Sequence, residues 1–211
     1  MRNLKLYIPV FAFLLLAVFM WQGLYMDSRT LPSTLIDREL PAFELRALNE
    51  GDQLVSNADL PDEPFILNIW GSYCLPCLQE NPIFMSTKEQ DLVPIVGVNY
   101  KDRDNLARDW LDINGNPFTM NIVDDTGRYG IDLGVYGAPE TFIVDANGVI
   151  RYKHIGTINY QAWQDEIMPV VRELQSAHAA QTDASAGLSA EIEDVLDEYS
   201  GTALEYVGVQ A

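Results

Sequence analysis

Cys74 and Cys77 are the two cysteines of a 211-residue chain, and they stand one helical turn apart in the segment Cys74-Leu75-Pro76-Cys77. A dithiol at this spacing can exchange disulfides in two steps: one thiolate attacks a substrate disulfide, and the second thiol resolves the mixed disulfide that forms. The attacking sulfur must be accessible and easily ionised. A helix that opens at this segment meets both needs. Cys74 then lies at the helix N-terminus, where unpaired N–H groups and the macrodipole stabilise an anion, and Cys77 lies one turn along the same side and deeper. Pro76 falls in the first turn, where its missing N–H costs little. The competing reading is a structural disulfide, although so short a loop gains little from a cross-link. A zinc centre is not expected: two thiols cannot fill a tetrahedral site, and His154 and His178 lie far along the chain. A fold stapled by disulfides would need more cysteines at wider spacing.

The elements around the pair supply its setting. Phe65-Ile66-Leu67-Asn68-Ile69-Trp70 is a nearly continuous apolar run, as in a central strand covered on both faces. The bend Gly71-Ser72-Tyr73 follows, and residues 75 to about 88 read as a helix. Both sulfurs then sit at the carboxyl end of a central strand, where open sheets expose their reactive edge. Residues 95–99 give a second buried strand. Asp102 is positioned to cap a helix that runs to about Asn114, with Gly115 and Pro117 stopping it. A short strand is expected over 118–123 and a helical turn over 126–133. Two further hairpins are legible, one across Asn49-Glu50-Gly51-Asp52 and one across Ala146-Asn147-Gly148. A helix closes the domain from Tyr160 to about Ala179, with Pro169 kinking it. This alternation argues for a mixed α/β sheet flanked by helices. The second constellation is Gly137-Ala138-Pro139-Glu140-Thr141. A proline in a Gly-rich turn before a strand is a candidate cis peptide, which would free the Ala138 backbone to pair with an extended substrate; an ordinary trans turn is the alternative.

The bulk features bound the rest. A net charge of −18 repels phosphate backbones, so nucleic acid is not an expected partner. Arg2 and Lys5 precede an apolar run from Leu6 to Met26, about the ~20 residues that span a bilayer core. Trp21 and Tyr25 suit an interfacial belt, and no small-residue cleavage site follows. The expectation is an uncleaved transmembrane anchor over 1–26, a tether over 27–37, and a domain over 38–178 held outside the cytoplasm by a single pass. A cleaved signal peptide is the alternative. From about 179 to 211 the chain becomes an acidic tail. Leu188, Ile192, Val195, Leu196 and Tyr199 recur there at helical spacing, which leaves a short amphipathic helix or a disordered tail open.

Several stretches resemble one family within the thioredoxin superfamily, the cytochrome c maturation proteins called CcmG or DsbE. They are Leu67-Asn68-Ile69-Trp70, Cys74-Leu75-Pro76-Cys77 with Glu80, residues 97–102 (Gly-Val-Asn-Tyr-Lys-Asp), Gly115-Asn116-Pro117 and residues 132–142 (Asp-Leu-Gly-Val-Tyr-Gly-Ala-Pro-Glu-Thr-Phe). Arg151-Tyr152-Lys153-His154 fits the strand that follows. The resemblance implies a thioredoxin-like fold with an N-terminal β-hairpin extension and a central insertion. It implies a reductant without a bound cofactor other than the Cys74/Cys77 disulfide itself. Its electrons would come from a transmembrane thiol donor, its partners would be apocytochrome c or cytochrome c assembly proteins, and its tether and domain would lie on the periplasmic side of a bacterial inner membrane. Pro139 would be a cis-proline beside the dithiol, with Trp70, Tyr73, Pro76 and Ala138 around it, and Glu80 and Glu140 would be acids near the sulfurs. The bland reading of Glu80 is a solvated helix glutamate. Tyr73 departs from the family, which usually has tryptophan before the first cysteine. Two other functions stay open: a broader thioredoxin-like reductase or oxidase, and a non-catalytic holder of unfolded apoprotein.

Overall fold

The computed structural model describes residues 4–24, 35–48 and 53–208, which divide into two compact units, Met1–Ser33 and Thr34–Ala211. In the first unit lies one helix, α1 (Leu4–Leu24), with Pro9 inside it. Among the described residues no helix is long and apolar enough to cross a membrane. This corrects the expected transmembrane anchor, and with it the single-pass placement in an inner membrane. Most of the tether at 27–37 and the whole Asn49-Glu50-Gly51-Asp52 turn lie outside the described residues.

The second unit is built on one seven-stranded sheet. Its strands are β1 (Glu44–Ala47), β2 (Leu54–Ser56), β3 (Phe65–Trp70), β4 (Ile95–Tyr100), β5 (Met120–Asp124), β6 (Glu140–Val144) and β7 (Ile150–Ile155), in the order β2-β1-β5-β4-β3-β6-β7. β3, β4 and β5 are parallel; β6 and β7 complete one edge antiparallel and the β1/β2 hairpin the other. Helices α2 (Leu75–Glu89), α3 (Asp104–Asn114) and α4 (Arg128–Asp132) connect the strands. Between β4 and β6 the chain runs through α3, β5 and α4, and β1 and β2 pair antiparallel at the start of the unit.

β3 shows why this sheet has two cores. Its side chains alternate between faces, so Ile66 and Trp70 join a cluster with Cys77 and Phe84 of α2, Leu111 of α3 and Trp163, Ile167 and Val171 beyond β7. Phe65, Leu67 and Ile69 join the opposite cluster with Val96, Val98, Tyr129 and Leu133. All six β3 residues are buried, as a strand covered on both faces demands.

After β7 the chain forms a short turn, α5 (Tyr160–Ala162), a single π turn (Trp163–Ile167) and α6 (Met168–Gly208). Pro169 explains the π turn. It has no N–H to give, and its ring would crowd the carbonyl of Asp165, so the helix widens just before it and Met168 N–H reaches Trp163 O. The expected kink is thus a local widening. α6 continues into the acidic tail, where every described side chain from 179 onward is exposed.

Candidate active site

α2 begins where the β3 strand spills over the edge of the sheet. Cys74 is its N-cap residue, and Cys77 N–H points at Cys74 Sγ at 3.2 Å. Pro76 occupies the first turn, where its missing N–H forfeits no intrahelical hydrogen bond. Cys74 and Cys77 are joined in a disulfide, with their Cα atoms 5.3 Å apart. The sequence expects an exposed Cys74 above a deeper Cys77. In the disulfide form both are buried, at 5% and 3% exposure, and the accessible surface around them comes from Tyr73, Leu75, Pro76 and Leu78.

The bend that delivers Cys74 is pinned from the neighbouring strand. Asp102, expected to cap α3, does something else: Arg103 takes the N-cap position without a side-chain bond. The Asp102 carboxylate accepts from Ser72 N–H at 2.6 Å, Ser72 Oγ at 2.8 Å, Asn99 Nδ2 at 3.1 Å and Arg103 N–H at 2.8 Å. Burial works against its charge, but these donors outweigh it and hold the Asp102 carboxyl below the usual range. Tyr73 donates its hydroxyl to Tyr100 O at 2.9 Å. Asn99 and Tyr100 are buried. Trp70 is core: it is 1% exposed, packs its ring against Trp110 and Phe118, and donates Nε1–H to Asn121.

Glu80 is no solvated helix glutamate. It is 1% exposed, one turn beyond Cys77. Its Oε1 accepts from Asn68 Nδ2 at 3.1 Å and its Oε2 from Ile158 N–H at 3.0 Å. Asn68 also reaches Thr141 Oγ1 at 3.0 Å, so the polar position in β3 ties α2 to β6 beneath the dithiol. Burial raises the Glu80 carboxyl to about 7, against the two hydrogen bonds that favour its charge.

The Ala138–Pro139 peptide bond is cis. Sheet register sets Ile69 opposite Glu140, so the loop before β6 lies beside the end of β3 that leads into the Cys74 bend. Ala138 is partly buried and packs against the cluster that contains Cys74 and Cys77. Pro139 is buried, and Tyr136 stands 79% exposed. Glu140 adjoins Pro139, but its oxygens turn away toward the loop: Oε1 accepts from Tyr136 N–H at 2.7 Å and Gly137 N–H at 3.3 Å, and Oε2 lies 2.8 Å from Lys153 Nζ. Sequence reasoning placed Lys153 only as part of a strand; nothing in the local pattern marks it as a buried partner of Glu140. No group of three or more His, Cys, Asp or Glu that could hold a metal occurs among the described residues.

This arrangement can do thiol–disulfide exchange: a helix-tip cysteine, a second sulfur one turn behind it, a buried acid below, and a cis-proline loop alongside. Known proteins agree. Residues 36–166 match the Redoxin family. The chain is 42% identical to the thiol:disulfide interchange protein DsbE of Pseudomonas fluorescens biotype C, over 79% of this chain and 93% of that one. It is 41% identical to the DsbE of Vibrio cholerae, over 82% of this chain and 97% of that one. The crystal structure of a DsbF homologue from Corynebacterium diphtheriae superposes with a TM-score of 0.55 at 26% identity, covering 65% of this chain and 87% of that one. With the dithiol at the tip of α2 and this similarity over most of its length, the chain belongs to the DsbE family of thiol:disulfide interchange proteins, thiol:disulfide oxidoreductases of thioredoxin-like fold whose redox centre here is the Cys74–Cys77 disulfide.

Proposed function

We propose that the reduced chain serves cytochrome c maturation, donating two electrons to a disulfide formed by the haem-attachment cysteines of apocytochrome c or carried by the assembly protein that handles them. The observation that carries this reading is the Cys74–Cys77 pair at the α2 tip beside the cis Ala138–Pro139 loop, in a chain of the DsbE family. In the first step Cys74 thiolate attacks one substrate sulfur, and the other leaves as a thiolate that takes up a proton. Cys77 then gives up its proton and attacks the Cys74 sulfur, which releases the second substrate thiol and leaves the Cys74–Cys77 disulfide. A donor dithiol must return the two electrons before another turn.

Glu80 supports the second step. It sits one turn along α2 from Cys77, and with its carboxyl near 7 it can hold or release a proton close to neutral pH. The Ala138 backbone, in the loop packed against the dithiol cluster, suits pairing with an extended substrate segment. Tyr73, Pro76 and Leu75 supply the exposed surface around the sulfurs.

A Cys77→Ser variant tests the proposal, since it cannot resolve the mixed disulfide at Cys74. The adducts are isolated from cells that make cytochrome c and the captured proteins identified by mass. Apocytochrome c or its assembly proteins are expected. Capture of unrelated proteins alone would make the chain a general thioredoxin-like exchanger, and no adduct at all would leave the holder reading.

A further inference from the structure

We propose that Lys153 is a positioning residue for substrate binding: its ammonium, buried against Glu140, holds the 134–139 loop in the shape that presents Ala138 to the substrate. The inference rests on the reading of that loop as the substrate groove.

The contacts converge on one ammonium. Lys153 Nζ lies 2.8 Å from Glu140 Oε2 and donates to Gly134 O at 2.8 Å. It also sits over the rings of Tyr136, at 5.4 Å, and Phe142, at 5.0 Å. Glu140, in turn, takes the N–H groups of Tyr136 and Gly137 with its other oxygen. Lys153 therefore grips the loop at its start through Gly134, at its crest through the Tyr136 ring, and at its end through Glu140. The side chains of the pair are 5% and 1% exposed. Apart from Lys153, Glu140 Oε2 has no hydrogen-bond partner among the described residues. A buried carboxylate with one compensating cation is strongly dependent on it. Without the ammonium, the Glu140 carboxylate must find water or move, and either loosens its hold on the Tyr136 and Gly137 amides.

β7 is the right place for such a clamp. Its register sets Lys153 opposite Phe142, two residues past Glu140 on β6, so the side chain runs diagonally across the sheet to the carboxylate. The ladder fixes the ammonium's origin, and the loop is drawn to it. Displacing a binding loop by as little as 1 Å can cost roughly a hundredfold in a positioned reaction.

The test uses the full-length chain, kept reduced by an excess of a small-molecule dithiol, and a peptide that carries an oxidised Cys-x-x-Cys-His segment, with reduction above the rate of the dithiol alone followed against peptide concentration. Lys153→Met is expected to raise KM roughly tenfold or more while kcat changes much less. Lys153→Arg, which keeps a cation and its donors, is expected to recover most of the loss. A merely structural role moves different quantities: partial unfolding lowers the active fraction, so kcat falls and KM stays. That pattern, or a Lys153→Met KM within about twofold of wild type, overturns the proposal. If Lys153→Met does not fold, the neutral pair Lys153→Met with Glu140→Gln replaces it, and a wild-type KM in that pair is equally fatal. Wild-type chain that shows no saturation with the peptide would instead fell the groove reading beneath the inference.

Discussion

At the scale of the residue, Glu80 gives the most direct link between burial and behaviour. Its carboxyl rises from 4.5 to about 7 because desolvation opposes its charge, and the donors from Ile158 and Asn68 only partly offset this. A carboxyl whose folded value is raised binds a proton in the native state that the unfolded chain has already lost. Its contribution to stability is therefore greatest at low pH and is lost as pH rises through the window from 4.5 to 7, at about 1.4 kcal/mol per pH unit within it. Above the window the ionised, buried carboxylate is a constant burden. Glu80→Gln cannot titrate, so its urea-unfolding free energy should fall less between pH 5 and pH 7 than that of the wild type. Two parallel profiles would mean that Glu80 is already ionised at low pH and that its hydrogen bonds outweigh desolvation. The same residue marks where the sequence stops being legible. The spacing from Cys77 placed Glu80 on the right side of the helix, but its burial depends on Ile158 and Asn68, which come from other elements. The Asp102 hold on Ser72 and the Lys153–Glu140 pair were hidden for the same reason: each joins side chains that no local pattern relates.

At the scale of the element, the strands were legible because periodicity is a local signal. The apolar runs at 65–70 and 95–99 and the hairpin around Asn147-Gly148 appear as read, and the dithiol lies at the strand-to-helix junction that its flanks imply. The last helix was harder. Its first part faces the core through Ile167, Met168 and Val171, while from 179 onward each described side chain is exposed. The sequence leaves a short helix or disorder open there, because an isolated helix is marginal in water, and the backbone is helical. The two observations combine into one expectation. Protection of backbone amides from hydrogen exchange should be strong near Val171 and fall away beyond about residue 180, where only the helix's own hydrogen bonds resist opening. Uniform protection along α6 would require a covering surface past residue 180 and would revise the picture of an exposed extension.

At the scale of the whole molecule, the folded chain decides which redox state it favours. The α2 N-terminus and the Cys77 N–H at 3.2 Å from Cys74 Sγ favour a thiolate. Three features oppose one: both sulfur-bearing residues are at most 5% exposed, Glu80 is buried one turn away, and the chain carries a net charge of −18. A dithiol whose thiolate gains little from its surroundings is a poor oxidant. Linkage turns this into a measurement. The oxidised and reduced forms differ in unfolding free energy by the amount that folding shifts the pair's reduction potential, about 1.4 kcal/mol for each 30 mV. A strong oxidant is one whose reduced form is the more stable. A reductant of the kind proposed should show the reverse order: the disulfide form should unfold at higher denaturant than the dithiol form, with equal slopes. Should the reduced chain prove the more stable, the pair would take electrons from its partners and could not keep haem-attachment cysteines reduced.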